Sequence, residues 1–225
     1  MKAVGKALGA SVNDVLLSCV AGALRGYLAD KGEDVTGVMV RALVPINLRP
    51  MEKAYKLGNQ FGVVFLELPI GIENPVERLY AVSANMAALK GSFQPLLTLW
   101  LLAAAGAGPK MLQDQLVTVL ARNATAVMTN VPGPQQALYL AGSKIERFLF
   151  WVPQSGDIGM GVSILSYNDE VQFGLITDRG LCPDPERVIA RFAPEFEKLA
   201  LTTLMALWPR DGDLDPQDAE GAVAA

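Results

Sequence analysis

Two stretches early in the chain are apolar at almost every position, and they limit the fold more than any other feature. Residues 38–50 (VMVRALVPINLRP) and 61–69 (FGVVFLELP) place apolar side chains on both alternating faces of a predicted strand. A strand with one face in water would alternate polar and apolar residues, so both faces of these strands must be covered. Helical patterns precede and follow them. The element order therefore predicts an α/β fold, in which a mixed β-sheet is covered by helices.

The segment before these strands, SVNDVLLSCVAGALRGYLADK (residues 11–31), predicts a long helix. Ser11 can cap its N-terminus, and Asp14 three residues later would complete a capping box. Asn13 projects into the apolar sector of the helix, where a side-chain amide needs hydrogen-bond partners. The opposite side carries a narrow ridge that would let another backbone approach closely, formed by Asp14, Ser18, Gly22 and Gly26. Asp14 is thus either a helix cap or a site residue, and both roles are open for Asn13.

The rest of the chain predicts three helices, then strands, then a final helix. The helices are expected over residues 75–90, 96–105 and 109–122. Strands separated by Gly, Pro, Asn and Asp turn residues are expected over residues 124–131, 137–142, 144–153, 159–167 and 170–178. Asn168-Asp169 is typical of a tight hairpin. The last helix would begin at Asp184-Pro185 and run to about Leu207, bent or broken near Pro194.

The stretch TNVPGP (residues 129–134) places an amide, two prolines and a glycine at the end of an apolar strand. The first proline cannot donate to a strand ladder and the second restricts the glycine before it, so the strand must stop there. This explains a stiff turn but not Asn130, which fits either an Asx turn or a ligand-binding wall. Ser166-Tyr167, at the end of another strand, is likewise either a hairpin edge or a pair of hydroxyls at a pocket rim.

Composition and charge exclude several functional classes. With 225 residues, 51% of them hydrophobic, the chain is long enough for one domain with a sizeable core. A net charge of −4 without a dense Lys/Arg run argues against nucleic acid as a partner. Two cysteines cannot build a disulfide framework or a four-thiolate metal site, so a cytoplasmic location is expected. The N-terminus shows no secretory signal. The apolar run at residues 95–108 falls short of the roughly 20 residues of a spanning helix, although it could lie in a membrane interface.

The chain contains no histidine, which is the commonest general base and the commonest nitrogen ligand of metals. A Ser-His-Asp or Cys-His catalyst cannot be assembled from this chain alone. The glycines of GDIGMG (residues 156–161) follow no Rossmann strand, and GVSIL around Ser163 lacks the second glycine of a nucleophile elbow. The sequence therefore predicts no catalytic residue and no metal ligand.

Five stretches, taken in order, resemble those of a known family: SVNDVLL, LVPINLR, GNQFGVV, TNVPGP followed by LYLAG, and GMGVSILSY. Their order and spacing resemble the C-terminal half of the bacterial wax ester synthase/diacylglycerol acyltransferase family, over about residues 11–207. Members of that family are similar to condensation-domain and chloramphenicol-acetyltransferase-like enzymes, in which two mixed α/β halves face each other across a substrate tunnel. Catalysis is attributed to an H-H-x-x-x-D-G motif on the N-terminal half. That motif is missing from this sequence.

The resemblance implies the substrate-binding half of an O-acyltransferase that forms wax esters or triacylglycerols. Its ligands would be acyl-CoA and a long-chain alcohol or diacylglycerol, with no further cofactor. Turnover would need a histidine-bearing N-terminal half; without it the chain would self-associate, and contact with a membrane or lipid droplet is a further expectation. Residues 1–208 would form the acyltransferase-like domain and residues 209–225 an acidic, disordered tail. The alternative is a non-catalytic acyl-binding or interaction module that keeps the fold.

The same resemblance assigns roles to individual residues. It maps Asn13-Asp14 onto the family's ND motif. Asn13 and Asn130 would then orient the substrate or its thioester carbonyl. Ser166 and Tyr167 would lie near the tunnel wall. On this interpretation, the prolines and glycine of TNVPGP end the strand so that Asn130 lies at the seam between the two halves of the enzyme.

Overall fold

The structure, a computed structural model, describes residues 1–48, 61–154 and 157–205. Its helices are α1 (Lys2–Ala7), α2 (Val12–Asp30), α3 (Pro75–Lys90), α4 (Gln94–Gly106), α5 (Lys110–Arg122) and α6 (Pro185–Met205). Its strands are β1 (Val40–Asn47), β2 (Phe61–Leu68), β3 (Ala126–Pro132), β4 (Tyr139–Leu140), β5 (Ser143–Lys144), β6 (Met160–Tyr167) and β7 (Glu170–Thr177). Apart from α1, which was not predicted, helices and strands follow the predicted order, and the α/β fold with a mixed sheet is confirmed.

The main sheet has five strands in the order β2-β1-β3-β6-β7. The central strands β1, β3 and β6 are parallel, and the edge strands β2 and β7 are antiparallel to their neighbours. The carboxyl ends of the three parallel strands therefore meet at one edge of the sheet. At that edge Asn130 is opposite Ile164, and Pro132 is opposite Ser166.

The core lies between one face of the sheet and helix α2, which packs between α3 and α6. That face carries the even-numbered residues of β1, β3 and β6, among them the fully buried Ala42, Ala126 and Val162. The opposite face packs against α4 and α5, where Leu43 and Ala121 are buried. Both faces of β1 are thus covered, as its two-sided apolar pattern predicts.

Helix α2 confirms the capping prediction. The Ser11 hydroxyl accepts a hydrogen bond from the Asp14 backbone N–H at 3.2 Å, and the Asp14 carboxylate accepts one from the Ser11 N–H at 3.0 Å. The glycine ridge faces its neighbouring helices, and α6 packs closely against α2. The atoms nearest the glycines belong to side chains, since Arg78 and Glu195 meet over Gly22 and Arg191 lies against Gly26.

The predicted strand over residues 144–153 is wrong beyond its first residue. Only Ser143–Lys144 pairs, with Tyr139–Leu140, across a turn in which Ala141 and Gly142 have φ of 49° and 85°. The rest of the segment runs as irregular chain because tertiary contacts hold it. One of these is the Ile145 carbonyl, which accepts a hydrogen bond from a buried tyrosine hydroxyl at 2.8 Å.

The sequence predicts that the last helix is bent or broken near Pro194, and the structure shows that α6 continues through Pro194 without a break. The neighbouring Glu195 is anchored in the core, and this contact outweighs the one backbone hydrogen bond that a proline removes. The far end of the predicted helix, near Leu207, and the predicted tail lie outside the described residues. Among the helices described, none combines the length and apolar character needed to cross a bilayer.

Candidate functional site

A cavity of about 450 Å³ opens between the first turns of α2 and the carboxyl ends of the parallel strands. Its walls are mostly apolar and include Val12, Leu16, Leu17, Ile46, Met128 and Ile164. Ligands of open α/β sheets bind outside the carboxyl ends of the strands, and small-molecule sites occupy about 300–1,000 Å³. Position and size therefore make this cavity the candidate site.

Two side-chain amides meet at the cavity. The Nδ2 group of Asn130 donates a hydrogen bond to Oδ1 of Asn13 at 3.0 Å, and both residues line the cavity. Within the described ranges, Asn13 Nδ2 and Asn130 Oδ1 have no protein partner. The amide nitrogen of Asn13 and the amide oxygen of Asn130 therefore remain available to a ligand in a mostly apolar space.

The sequence around Asn130 explains why its amide reaches α2. Asn130 lies two residues after the buried Met128, so both side chains are on the face of β3 that packs on α2. An Asx turn would need an N–H two residues later, and Pro132 has none. Strand β3 ends at Pro132, and the Gly133 N–H then donates to the Ser166 carbonyl at 2.8 Å. The prolines and glycine thus end the strand, as predicted.

Ser166 lies on the same face of β6 as its cavity-lining neighbour Ile164, and it also lines the cavity. Tyr167 points to the other side. Its hydroxyl donates to the Ile145 carbonyl at 2.8 Å and accepts from the Leu138 N–H at 2.8 Å. The structure therefore brings Ser166 to the amide pair and places Tyr167 as a buried anchor for the irregular segment.

Asp14 is next to Asn13 in the chain but does not line the cavity. Its Oδ2 atom accepts hydrogen bonds from the Ser11 N–H at 3.0 Å and the Ser83 hydroxyl at 3.2 Å. It is 4% exposed, so these contacts keep its carboxylate at the start of the helix. Of the five predicted site residues, Asn13, Asn130 and Ser166 are brought together, and the ligand roles of all five remain predictions.

Two further lining residues, Met86 and Lys90, come from α3 and were missed in the sequence. Their spacing of four residues places them on one side of the helix. This spacing is the only local feature from which their joint position at the cavity could have been predicted. Lys90 is the one charged residue among the described residues that line the cavity. The cavity wall thus carries a positive charge that sequence analysis did not predict.

A buried ion pair fixes the helices around the cavity. Arg78 of α3 is 1% exposed and pairs with Glu195 of α6, which is 7% exposed. Arg78 also donates to the Ser18 carbonyl of α2 at 3.2 Å and to the Ile72 carbonyl at 2.9 Å. Burial lowers the pKa of Arg78, and burial followed by the nearby Glu195 raises the pKa of Cys19 to about 12. The pair therefore ties α3 and α6 across the helix that carries Asn13.

The ion pair was also missed, although its signal is visible. Arg78 shares a helical face with Val82 and Leu89, and Glu195 interrupts the apolar stripe of α6. Two opposite charges on apolar faces are typical of a buried pair. In the part of the chain that the structure describes, no group of three or more Cys, Asp or Glu side chains is arranged to hold a metal ion.

Comparison with known proteins places this chain in a family. Residues 57–200 match the family model described as the WS/DGAT C-terminal domain. A putative diacylglycerol O-acyltransferase of Mycobacterium tuberculosis is 28% identical over 222 residues, which cover 94% of this chain and 46% of the relative. A second protein of the same organism, named a probable diacylglycerol O-acyltransferase, is 29% identical over 178 residues, which cover 77% of this chain and 38% of that relative. The chain spans about half the length or less of these relatives.

Solved structures agree with the sequence comparison. The wax ester synthase/diacylglycerol acyltransferase from Marinobacter aquaeolei VT8 superposes with a TM-score of 0.63 at 27% identity, covering 91% of this chain and 46% of that chain. A condensation domain of the enacyloxin polyketide synthase superposes with a TM-score of 0.53 at 17% identity, and shows a shared fold. Because the family model matches most of its length, this chain belongs to the wax ester synthase/diacylglycerol acyltransferase (WS/DGAT) C-terminal domain family.

Proposed function

We propose that this chain binds acyl-CoA and an acceptor alcohol for an O-acyltransferase that forms wax esters or triacylglycerols. The observation that carries the proposal is the Asn13–Asn130 amide pair in an apolar cavity at the carboxyl ends of the parallel strands. Such a cavity accommodates a hydrocarbon chain and presents one polar group to a carbonyl. Membership of the family and the names of the relatives support the same substrate class.

The amide pair suggests how the substrate is held. Asn13 Nδ2 would donate to the thioester carbonyl oxygen, and Asn130 would fix the Asn13 amide in that orientation through its bond to Oδ1. A donor fixed in this way gains strength as negative charge develops on the carbonyl oxygen, so it stabilises the transition state more than the substrate. The apolar walls would hold the adjoining part of the acyl chain.

The proton transfer would come from a second half of the enzyme. This chain contains no histidine, and the proposal assigns the general base to an N-terminal half that carries one. That histidine would remove the proton of the acceptor hydroxyl as its oxygen attacks the thioester carbon, and would return the proton to the departing CoA thiolate. Atoms and charges then balance without a further cofactor.

A partner is also suggested by the surface of α4. Its exposed apolar side chains are Leu96, Leu97, Trp100 and Leu101, with Trp100 at 73% exposure. Water-facing patches of this kind mark interaction surfaces. We expect them to pack against the N-terminal half or, without it, against a second copy of the chain. Contact with a membrane or lipid droplet stays a prediction.

The test is an acyl-transfer assay on the purified chain alone and on the chain co-expressed with a histidine-bearing N-terminal half of a family member. The proposal predicts acyl-CoA binding in both samples and ester formation only in the second. Because the cavity can bind an acyl chain without a catalytic residue, a second candidate function is that of a non-catalytic acyl-binding module. Binding without ester formation in either sample would favour that candidate, and lack of binding would contradict both.

A further inference from the structure

Lys90 gives the candidate cavity a positive charge that no acidic residue of the described ranges balances. It is the last residue of α3, it lines the cavity, and its side chain is exposed. Within the described ranges its ammonium group makes no ion pair or hydrogen bond, and no Asp or Glu lines the same cavity. The positive charge is therefore free to meet an anion at the edge of the ligand space.

The other cations on α2 and α3, and Lys31 directly after α2, are engaged by the protein. Arg25 pairs with Glu73 at 3.4 Å, Lys31 pairs with Asp184 at 2.9 Å, and Arg78 pairs with the buried Glu195. A lysine in the last turn of a helix also interacts favourably with the helix dipole. That structural role requires no contact with the cavity, whereas Lys90 borders it beside Met86. The position of Lys90 is thus better explained by a ligand.

The chemistry of the cavity restricts that ligand to an amphiphile. Its apolar walls suit a hydrocarbon chain, the amide pair suits a carbonyl, and Lys90 suits an anion outside the apolar part. A lysine can lay its methylene stem along an apolar wall and keep its ammonium group in water. Such a compact, mobile charge binds phosphate without needing bidentate geometry.

We propose that Lys90 binds a phosphate of the coenzyme A part of the acyl donor and thereby selects acyl-CoA over uncharged thioesters. This inference rests on the proposed function, since it names a contact of the same substrate in the same cavity. A free fatty acid also joins an anion to a hydrocarbon chain, but its carboxylate would occupy the place of the thioester at the amide pair. The phosphates of CoA are separated from the thioester and extend toward the rim.

The experiment measures equilibrium dissociation constants of the full chain for three ligands with the same acyl chain: acyl-CoA, acyl-pantetheine, which has no phosphate, and the free fatty acid. Wild type is compared with Lys90→Gln, with Lys90→Arg, and with Lys110→Gln, a lysine outside the cavity. We expect Lys90→Gln to weaken acyl-CoA binding about five-fold, as for one solvent-exposed ion pair. Lys90→Arg should restore most of it, and Lys110→Gln should change nothing.

The other ligands separate the inference from the proposed function. Acyl-pantetheine should bind wild type and Lys90→Gln equally, and rising salt should weaken acyl-CoA binding to wild type only. Three results would overturn the role of Lys90 while leaving acyl-CoA binding established. In the first, Lys90→Gln weakens the binding of acyl-CoA and acyl-pantetheine equally; in the second, it weakens neither. In the third, it weakens the binding of the fatty acid alone. Wild type that binds no acyl-CoA would overturn both the inference and the proposed function.

Discussion

Asn130 of strand β3 donates its side-chain N–H to the side-chain oxygen of Asn13 on helix α2 at 3.0 Å, although the two residues are 117 positions apart. The bond holds the Asn13 amide in one orientation, because the oxygen that accepts from Asn130 must face strand β3. Within the described ranges the Asn13 nitrogen has no protein partner, so it is available to a ligand in the cavity. A strand residue thus sets the polarity of a helix residue at the candidate site.

Replacing Asn130 by Ala should reduce kcat/KM of the two-half enzyme by about ten-fold, since the Asn13 donor loses its fixed orientation. The free energy of unfolding should fall by only about 1 kcal/mol, the value of one hydrogen bond. Steady-state kinetics and urea denaturation measure the two effects. Asn123→Ala, which removes an amide that donates to the Val119 carbonyl on α5, is the matched control. Unchanged turnover of Asn130→Ala would remove its assigned role.

The Arg78–Glu195 pair should be the most sensitive polar contact of the fold. Glu195→Gln leaves the Arg78 charge buried and unpaired, and we expect a loss of about 3–5 kcal/mol in the free energy of unfolding. The exposed pair of Arg41 and Glu67, at 3.0 Å, provides the comparison. Glu67→Gln should cost less than about 1 kcal/mol. If urea denaturation gave similar losses of unfolding free energy for the two variants, burial would not be the reason why the Arg78–Glu195 pair matters for stability.

Gly133 should not tolerate a side chain. A Cβ at this position would overlap the carbonyl oxygen of Ser166, a backbone atom that the strand pairing holds in place. Gly133→Ala should therefore lower the free energy of unfolding by about 1–3 kcal/mol, as for other overpacked sites. Gly106→Ala, at a position with open space around it, should change stability by less than about 1 kcal/mol in the same denaturation series.

Stability in acid should depend on Asp184. Its carboxylate accepts hydrogen bonds from the Tyr27 hydroxyl at 2.5 Å and Lys31 at 2.9 Å, which lower its pKa from 3.8 to about 2. The folded state thus favours the charged carboxylate, so this stabilisation is complete above about pH 4 and is lost as the pH falls toward 2.

Denaturation at a series of pH values tests this dependence. The stability difference between wild type and Asp184→Asn should shrink between pH 4 and pH 2. Asp114→Asn serves as the control, because within the described residues its carboxylate contacts no cation. A constant difference between wild type and Asp184→Asn would show that the Tyr27 and Lys31 contacts do not act on this carboxylate.

Features set by local sequence could be predicted well. The Ser11 cap, the two-sided apolar strands and the hairpin at Asn168 and Asp169, with φ of 48° and 62°, all follow from residues close together in the chain. The mixed sheet follows from their order. Each of these depends on periodicity or turn chemistry, which act over a few residues.

Contacts between distant segments could not be predicted from periodicity. The partner of Asn130 is on another element, and nothing local indicates that its amide meets Asn13 rather than a turn. Ser166-Tyr167 was expected at a hairpin edge or a pocket rim; Tyr167 lies at the end of the β6–β7 hairpin, and strand alternation turns it away from Ser166 toward Ile145. The choice between these faces depends on which one α2 covers, and that is decided by tertiary packing.

The most direct measurement of the central claim is photolabelling of the chain with an acyl-CoA that carries a diazirine near the thioester, followed by peptide mass spectrometry. The claim that the amide-pair cavity is the acyl site predicts labels on its lining residues, foremost Val12, Asn13 and Ile164, and competition by unlabelled acyl-CoA. Competable labels confined to residues elsewhere, such as the exposed face of α4, would contradict it.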